Sequence, residues 1–426
     1  MGISAIHISK HWIQKLIRVA VLTLIVFTYM YSIQFQMLPI SCNIILGLLG
    51  LCWFAYKQLL LPKEQTAMFS KSDLGIVIAS GAVILVCLLS IVLNATFDFA
   101  FIRLQVLTLI TFCGAYFIGE ILKKTEGRIT FERIVFYVTL AALLQMVLTI
   151  LLFFKPDSMA FVQSVLRFQD LTLETMERLE GFRLMGFGTS FFSSGYIHSF
   201  ILIAIAAVIR ENKISANRLL FYMIAFLIIT AVSTMSARTT LAGAGLGGLI
   251  MIRSVLKNGK KSILILMSLA ALGVGIAIAR LSADIIERIV NLLHFGFELF
   301  FNLFTDHQLR TNSTDVMYTM YIFPDNLKTW LIGDGYFLDP YQKELGYYYM
   351  GTDIGYCRML FLFGVIGTLT FLAYEFYVLH RIYKRQGTPR AFLVTVAILF
   401  LVINLKGFAD LAPYAMLFYC CKNLTI

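Results

Sequence analysis

Charged residues are scarce in this chain, and the motifs of most soluble enzymes are missing. Only 14% of the 426 residues are Asp, Glu, Lys or Arg, where a soluble domain carries roughly 25%. No Gly-x-x-x-x-Gly-Lys-Ser/Thr sequence occurs, which excludes a P-loop ATPase. No His/Cys cluster has zinc spacing, and the first polar loops lack the Asp-x-Asp motif of metal-dependent sugar transferases. We therefore expect neither a metal nor another cofactor.

Long apolar runs dominate the chain instead. Hydrophobic residues make up 59% of the sequence, and about 20 consecutive apolar residues are enough for a helix to cross a bilayer. The sequence predicts an all-α, polytopic membrane protein that forms one integral membrane domain over residues 1–426. We expect about 12 transmembrane helices, at residues 17–35, 38–56, 74–93, 104–122, 134–154, 191–209, 217–234, 239–256, 262–279, 353–379, 391–405 and 411–426.

The basic residues cluster in every second short loop between these runs. Examples are the segments 10–18, 123–133, 210–218 and 381–390. Short basic loops face the cytoplasm, so both termini are expected on that side, and the first apolar run is expected to remain as a span. The net charge of +11 therefore reflects membrane orientation, and we expect no nucleic-acid partner.

Two long segments fall on the outer side, at residues 155–190 and 280–352. Loops of this length usually carry function or are disordered, and both are too rich in apolar residues for disorder. Asp157-Ser158 is expected to cap a helix that runs to about Leu179, and residues 283–304 have helical apolar spacing. Thr311 can cap a further helix. We expect these short helices to lie on the outer membrane surface over a cavity.

Four arginines are candidate anion ligands at the outer face. Each one, taken alone, can equally be a solvated residue, or one that reaches lipid head groups. Guanidinium groups match phosphate oxygens in pairs, so a shared pyrophosphate ligand would explain several of them together. The four are Arg183, Arg238, Arg310 and Arg358.

Asp353 is the candidate base, because it opens the span that follows the second long segment. The alternative is that it serves as the helix N-cap, and the two roles are compatible. Glu375 lies deeper in the same span. Lys406 and Asp410 are expected to pair at the last outer turn, and His198 is expected to be a packed or hydrogen-bonded core residue.

Three short motifs resemble those of bacterial O-antigen polymerases of the Wzy type, within the wider group that includes the O-antigen ligases. The segment 236–239 resembles a Ser-Arg-Thr-Gly-like element, with an Ala inserted before Arg238. The segment 330–336 resembles one that ends in Gly-x-Gly-aromatic, preceded by an arginine that Arg310 matches. Asp353 stands where the ligases have His, with Gly364 and Gly367 at the matching spacing.

The resemblance implies a metal-independent, inverting glycosyltransferase with a GT-C-like architecture in the bacterial inner membrane. Its substrates would be oligosaccharide repeat units on undecaprenyl diphosphate, joined at the periplasmic face. Arg238, Arg310, Arg183 and Arg358 would bind the diphosphate. Asp353 would be the catalytic base. Tyr336 and Tyr356 would stack on sugars, although interfacial anchoring also explains tyrosines there. Membrane lipid and a chain-length regulator are expected partners.

Three alternatives remain at this point. An O-antigen ligase shares the architecture, but Asp353 departs from its His. A lipid-linked oligosaccharide flippase or other transporter shares the span count, but transporters tend to place charges within the spans. A nonenzymatic assembly subunit would not need the four arginines.

Overall fold

The protein is described here from a computed structural model. The described residues are 10–60, 74–168, 173–176, 179, 183–189, 191–211, 214–258, 283–305, 307, 311–342 and 346–421. Within these ranges the chain is helical and contains no strand, only two isolated antiparallel bridges, Phe35–Leu166 and Leu338–Tyr348. The predicted all-α fold is therefore confirmed.

The helices follow one another with short connections through most of the chain. In chain order they are α1 (Lys10–Met30), α2 (Cys42–Leu60), α3 (Leu74–Asn94), α4 (Ala100–Glu126), α5 (Phe131–Phe154), α6 (Pro156–Val165), α7 (Phe191–Glu211), α8 (Ala216–Ser236), α9 (Thr240–Asn258), α10 (Ala283–Thr305), α11 (Asn312–Thr319), α12 (Leu327–Ile332), α13 (Gly355–Lys384), α14 (Arg390–Ile403) and α15 (Ala412–Ala415).

Eight of the helices in the described ranges are long and apolar enough to cross a membrane, so this is a multi-pass membrane protein. They are α1, α2, α3, α4, α5, α7, α8 and α13. Two more predicted spans coincide with the shorter apolar stretches Thr240–Ile252 and Arg390–Ile403. The predicted span at 262–279 lies outside the described residues. At the predicted span 411–426 the structure has α15 and a 3₁₀ helix, Met416–Cys420.

The α7 helix forms the centre of the bundle and is buried along almost its whole length. It packs against α5, α8, α9 and α14. His198 of α7 has no exposed surface. Its Nε2 lies 2.9 Å from the Tyr31 hydroxyl and its Nδ1 lies 2.7 Å from the Ser233 hydroxyl. His198 is thus a hydrogen-bonded core histidine.

The short helices of the outer segments agree only partly with the sequence pattern. The helix predicted from Asp157 to about Leu179 is wrong in extent, because α6 ends at Val165. The next residues are extended and bond to the chain after α1, through Arg167 N–H to the Gln34 carbonyl at 2.9 Å. The amphipathic helix at 283–304 is confirmed as α10. The Thr311 cap is also confirmed, since its hydroxyl accepts from Thr314 N–H at 3.1 Å.

The α13 helix is broken within the membrane at Phe363 (φ −141°, ψ 18°) and Gly364 (φ 66°, ψ −167°). The break frees carbonyl groups of the preceding turn, and hydrocarbon offers them no partner. Asp334 N–H donates to the Phe361 carbonyl at 2.6 Å, and Gly335 N–H donates to the Leu362 carbonyl at 3.1 Å. The outer segment after α12 therefore completes the hydrogen bonding of a spanning helix.

Two glycines let the α12 end and the α13 break touch backbone to backbone. A Cβ on Gly364 would lie 2.3 Å from the Leu331 backbone, and one on Gly333 would lie 2.5 Å from the Leu362 backbone. Both glycines also have positive φ, at 66° and 76°, which side chains rarely allow. Packing thus explains why the Gly-x-Gly-aromatic segment and Gly364 need glycine.

Candidate functional site

Arg183 and Arg238 lie close to the same aromatic ring, that of Phe295, near the C-terminal end of α8. The Arg183 guanidinium carbon is 4.6 Å from the centre of the Phe295 ring, and that of Arg238 is 4.3 Å from it. Arg183 Nε donates to the Ser236 carbonyl, the last residue of α8, at 3.2 Å. The structure therefore brings together two of the four predicted arginines, one from the first outer segment and one from the α8–α9 connection.

Arg238 is held by the helix of the second outer segment. Its Nε donates to the Phe295 carbonyl at 2.7 Å, and its Nη2 forms an ion pair with Glu298 of α10. Non-helical backbone at Phe297 kinks α10 between these two contacts. The third nitrogen, Nη1, is buried without a hydrogen-bond partner within the described part of the chain. One pair of guanidinium donors is thus committed, and one nitrogen is left for an acceptor.

Lys406 is a third cation of this group, although it follows α14 and lies far from both arginines in sequence. Burial, together with the nearby charges of Arg183 and Arg238, lowers the pKa of Lys406 to about 8. Burial and the charge of Arg238 likewise lower the pKa of Arg183 to about 10. Several cations that lie close enough to repel one another are expected at a site that binds an anion.

Asp353 lies beside this cationic group, two residues before α13 begins at Gly355. It is not the N-cap, because Ile354 takes that position without a side-chain cap, so the capping interpretation is wrong. The Asp353 side chain is still open to solvent. Partial loss of hydration raises its pKa, while the charges of Arg358 and Lys406 oppose the rise. A carboxylate with a raised pKa near cations suits proton acceptance.

Arg358 lies behind Asp353, inside a cage of aromatic rings. Only 7% of it is exposed. Its guanidinium carbon is 3.4 Å from the centre of the Tyr348 ring and 4.3 Å from that of Phe337. Such stacking stabilises a buried guanidinium. Arg358 therefore interacts electrostatically with Asp353, but it is more deeply buried than Arg183 and Arg238.

The two predicted sugar-stacking tyrosines make separate contacts. Tyr356 is half-buried, and its hydroxyl donates to the Leu401 carbonyl of α14 at 2.9 Å. Tyr336 is half-buried against Tyr349, with ring centres 5.1 Å apart. The Tyr356 ring is thus tied to a neighbouring helix, whereas the Tyr336–Tyr349 pair forms an aromatic surface in the outer segment. Arg310 lies outside the described residues.

A second polar centre lies deeper in the bundle and was not expected. The side chains of Glu375 and Asp410 hydrogen-bond to each other. Thr108 Oγ1 donates to Asp410 Oδ2 at 3.0 Å, and Leu411 N–H donates to Glu375 Oε1 at 3.1 Å. The predicted Lys406–Asp410 pair is therefore wrong. Two carboxyl side chains from different segments thus share one polar centre inside the bundle.

The sequence reading missed Lys406, Phe295 and Glu298 as members of the outer site. Phe295 and Glu298 had one available signal, because they are one helical turn apart on a predicted amphipathic helix. Lys406 had none, because its position depends on the turn that Asn404 closes by donating to the Ala409 carbonyl at 3.1 Å.

In the part of the chain that the structure describes, no group of three or more His, Cys, Asp and Glu side chains is arranged to hold a metal ion. Comparison with protein-family models, with curated proteins and with solved structures finds no match to this chain. The site is therefore interpreted from its own chemistry.

Proposed function

We propose that this protein is an O-antigen polymerase of the Wzy type, a metal-independent and inverting glycosyltransferase with a GT-C-like architecture of about 12 spans. It transfers the growing glycan from undecaprenyl diphosphate to a lipid-linked repeat unit. The reaction takes place at the periplasmic face of the bacterial inner membrane. A chain-length regulator is its proposed protein partner.

One observation supports this proposal above the others. Three cations from three separate segments, Arg183, Arg238 and Lys406, lie within reach of one another's charge beside the carboxylate of Asp353. Holding like charges together costs free energy, and a bound anion with several negative charges offsets that cost. A diphosphate on a membrane lipid is such an anion, and an adjacent carboxylate suits an acceptor hydroxyl.

The proposed reaction needs only substitution at one carbon. The acceptor hydroxyl oxygen attacks the anomeric carbon and passes its proton to Asp353. The bond from that carbon to the diphosphate oxygen breaks, and the diphosphate leaves with the electron pair. Arg238, Arg183 and Lys406 stabilise the charge that develops on the leaving group, with Arg310 and Arg358 as further candidates. Attack opposite the leaving group inverts the anomeric configuration.

The test is a gel of lipopolysaccharide from a strain that lacks this gene, complemented with wild type or Asp353→Asn. Asp325→Asn is the matched control, because Asp325 is an exposed carboxylate of the same outer segment. We expect a single-repeat band in the deletion strain and a ladder with wild type and with the control. We expect the ladder to be absent with Asp353→Asn although the protein is present in the membrane.

The observation that favours a transporter, such as a lipid-linked oligosaccharide flippase, is the Glu375–Asp410 pair inside the bundle. Ionisable groups within spans often mark a transport path. The same gel separates the two functions. A polymerase deletion leaves one repeat unit on the core, whereas a flippase or ligase deletion leaves the core without O-antigen units.

A further inference from the structure

A basic cavity lies at the end of the bundle opposite to the Arg183–Arg238 region. Its volume is about 790 Å³, and its walls come from the start of α1, the α4–α5 connection, the start of α5 and the start of α8. Arg218 of α8 lines this cavity, while Ser236 at the other end of α8 contacts Arg183. The two places are therefore separated by almost the full length of α8, about 27 Å at 1.5 Å per residue.

The cavity carries an excess of positive charge. Five basic and two acidic side chains line it. Both acids already have basic partners, because Glu132 Oε1 lies 2.6 Å from Arg218 Nη1 and Glu126 Oε2 lies 3.8 Å from Arg133 Nε. Three positive charges are thus left in excess around the cavity. They belong to the basic residues that form no ion pair with either acid, which are Lys15, Arg18 and Arg128.

Part of the wall of this cavity is apolar. Val19 and Phe136 contribute to its wall. The two turns of α1 that carry Lys15 and Arg18 present Trp12, at 58% exposure, on the outside of the helix. Aromatic rings of this kind sit at the level of the lipid head groups. The basic side chains therefore meet the membrane surface at head-group depth.

We propose that this cavity binds the phosphate group of an anionic lipid at the membrane surface. A basic cytoplasmic face alone follows from membrane orientation and needs no ligand. Here, however, basic side chains from four separate segments surround one concavity with an apolar wall. Guanidinium groups match phosphate oxygens, and the apolar wall fits the start of an acyl chain.

The test compares lipid binding by the full-length protein in detergent with native mass spectrometry. The probes are phosphatidylglycerol and, as the zwitterionic reference, phosphatidylcholine. The variant is Arg18→Gln/Arg128→Gln. The control is Lys123→Gln/Arg210→Gln, which removes the same charge from exposed positions at the same end of the bundle without touching the cavity wall. Unchanged unfolding temperatures without added lipid show that both variants fold.

Each basic residue near an anionic lipid changes affinity by roughly fivefold, so the cavity variant should bind phosphatidylglycerol about 25-fold more weakly. The control should lose far less. Inorganic phosphate is a second probe: if it raises the unfolding temperature of wild type and not of the cavity variant, while neither lipid is preferred, the phosphate site stands and its ligand is soluble. Equal binding of every probe by wild type and the cavity variant overturns the proposal.

Discussion

Arg183 and Arg238 place their guanidinium groups on one ring, that of Phe295, at 4.6 and 4.3 Å from its centre. Both guanidinium groups therefore lie against the same side chain, and Glu298 forms an ion pair with Arg238. The Nη1 of Arg238, which has no hydrogen-bond partner among the described residues, and the guanidinium of Arg183 can then approach oxygens of one ligand. This geometry is the basis of the first prediction.

Arg238→Ala should lower the rate of repeat-unit transfer by roughly 10²–10³-fold, the usual effect of removing one donor to a developing anion. Arg238→Lys keeps the charge but not the planar fork, so its rate should lie between those of wild type and Arg238→Ala. The measurement is repeat-unit polymerisation by the purified protein. Arg103→Ala is the control, because Arg103 is an exposed arginine at the start of α4. A normal rate in Arg238→Ala contradicts the diphosphate role.

Asp353 should set the acidic limit of activity. Its pKa is raised by partial loss of hydration, so the rate should fall with decreasing pH at a higher pH than an ordinary carboxylate would give. Only the ionised form accepts a proton, so activity is lost as pH falls through that pKa. Asp353→Glu should be slower than wild type, but its rate should still fall at acidic pH. Asp353→Asn should have no activity and therefore no such fall. An unchanged pH–rate profile in Asp353→Asn would exclude this residue as the base.

Lys406→Met should stabilise the protein at neutral pH while lowering its activity. The pKa of Lys406 is about 8 in the folded chain, below the ordinary value of 10.5. The unfolded state therefore binds more protons between these pH values, and wild-type stability rises with pH across that window. Removing the charge should raise the free energy of unfolding at pH 7 by up to about 3 kcal/mol, at about 1.4 kcal/mol per pKa unit.

The measurement is thermal unfolding in detergent from pH 7 to 10. The gain in Lys406→Met should shrink as the pH rises, since wild type itself loses the charge. Lys155→Met is the control, because Lys155 is an exposed lysine at the outer end of α5. A destabilised Lys406→Met at pH 7 would show that this cation is held by attractive contacts instead.

Gly364→Ala should be strongly destabilising. Its φ of 66° and ψ of −167° lie in a region that only glycine enters at low cost, and the new Cβ would meet the Leu331 backbone at 2.3 Å. Strain alone costs roughly 1–3 kcal/mol, and the contact adds to it. Gly81→Ala within α3 is the control, because nothing lies within 4 Å of its Cβ position. Unfolding in detergent should separate the two variants clearly.

The Glu375–Asp410 unit should tolerate an amide better than a truncation. Asp410→Asn can still donate to Glu375, so its stability should stay within about 1 kcal/mol of wild type. Glu375→Ala leaves Leu411 N–H without its acceptor and removes one of the partners of Asp410, so it should cost roughly 1–3 kcal/mol. If Asp410→Asn blocks the passage of lipid-linked repeat units across the membrane, the transporter assignment gains over the polymerase.

The helices were predictable from sequence where one local signal decides them. Apolar run length identified eight long spans, but the described part of the predicted span at 411–426 contains only a short α-helix and a 3₁₀ helix. Thr311 identified the start of α11. The end of α6 was not predictable, because contacts with the chain after α1 draw residues 166–167 into an extended form. The break in α13 was also hidden, since Phe363 and Gly364 sit inside an apolar run that reads as one helix.

In the candidate site, too, some features follow from the local sequence and others depend on distant contacts. Arg183 and Arg238 were identifiable because charge is rare in this chain and must be explained at a membrane boundary. Lys406 was paired wrongly with Asp410, because sequence proximity suggested a contact that the turn at Asn404 prevents. Which carboxylate meets which partner depends on how distant helices pack, and no local pattern contains that information.

The broken helix also bears on how the chain is made. The N–H groups of Asp334 and Gly335 that complete the hydrogen bonds of Phe361 and Leu362 leave the ribosome before α13 does. Ser90, whose hydroxyl donates to the Leu362 carbonyl at 2.7 Å, is synthesised earlier still. When α13 enters the bilayer, the groups that it needs are already present on the side where its first turns come to rest. The backbone hydrogen bonding at the break in this span is therefore completed by segments that are synthesised before it.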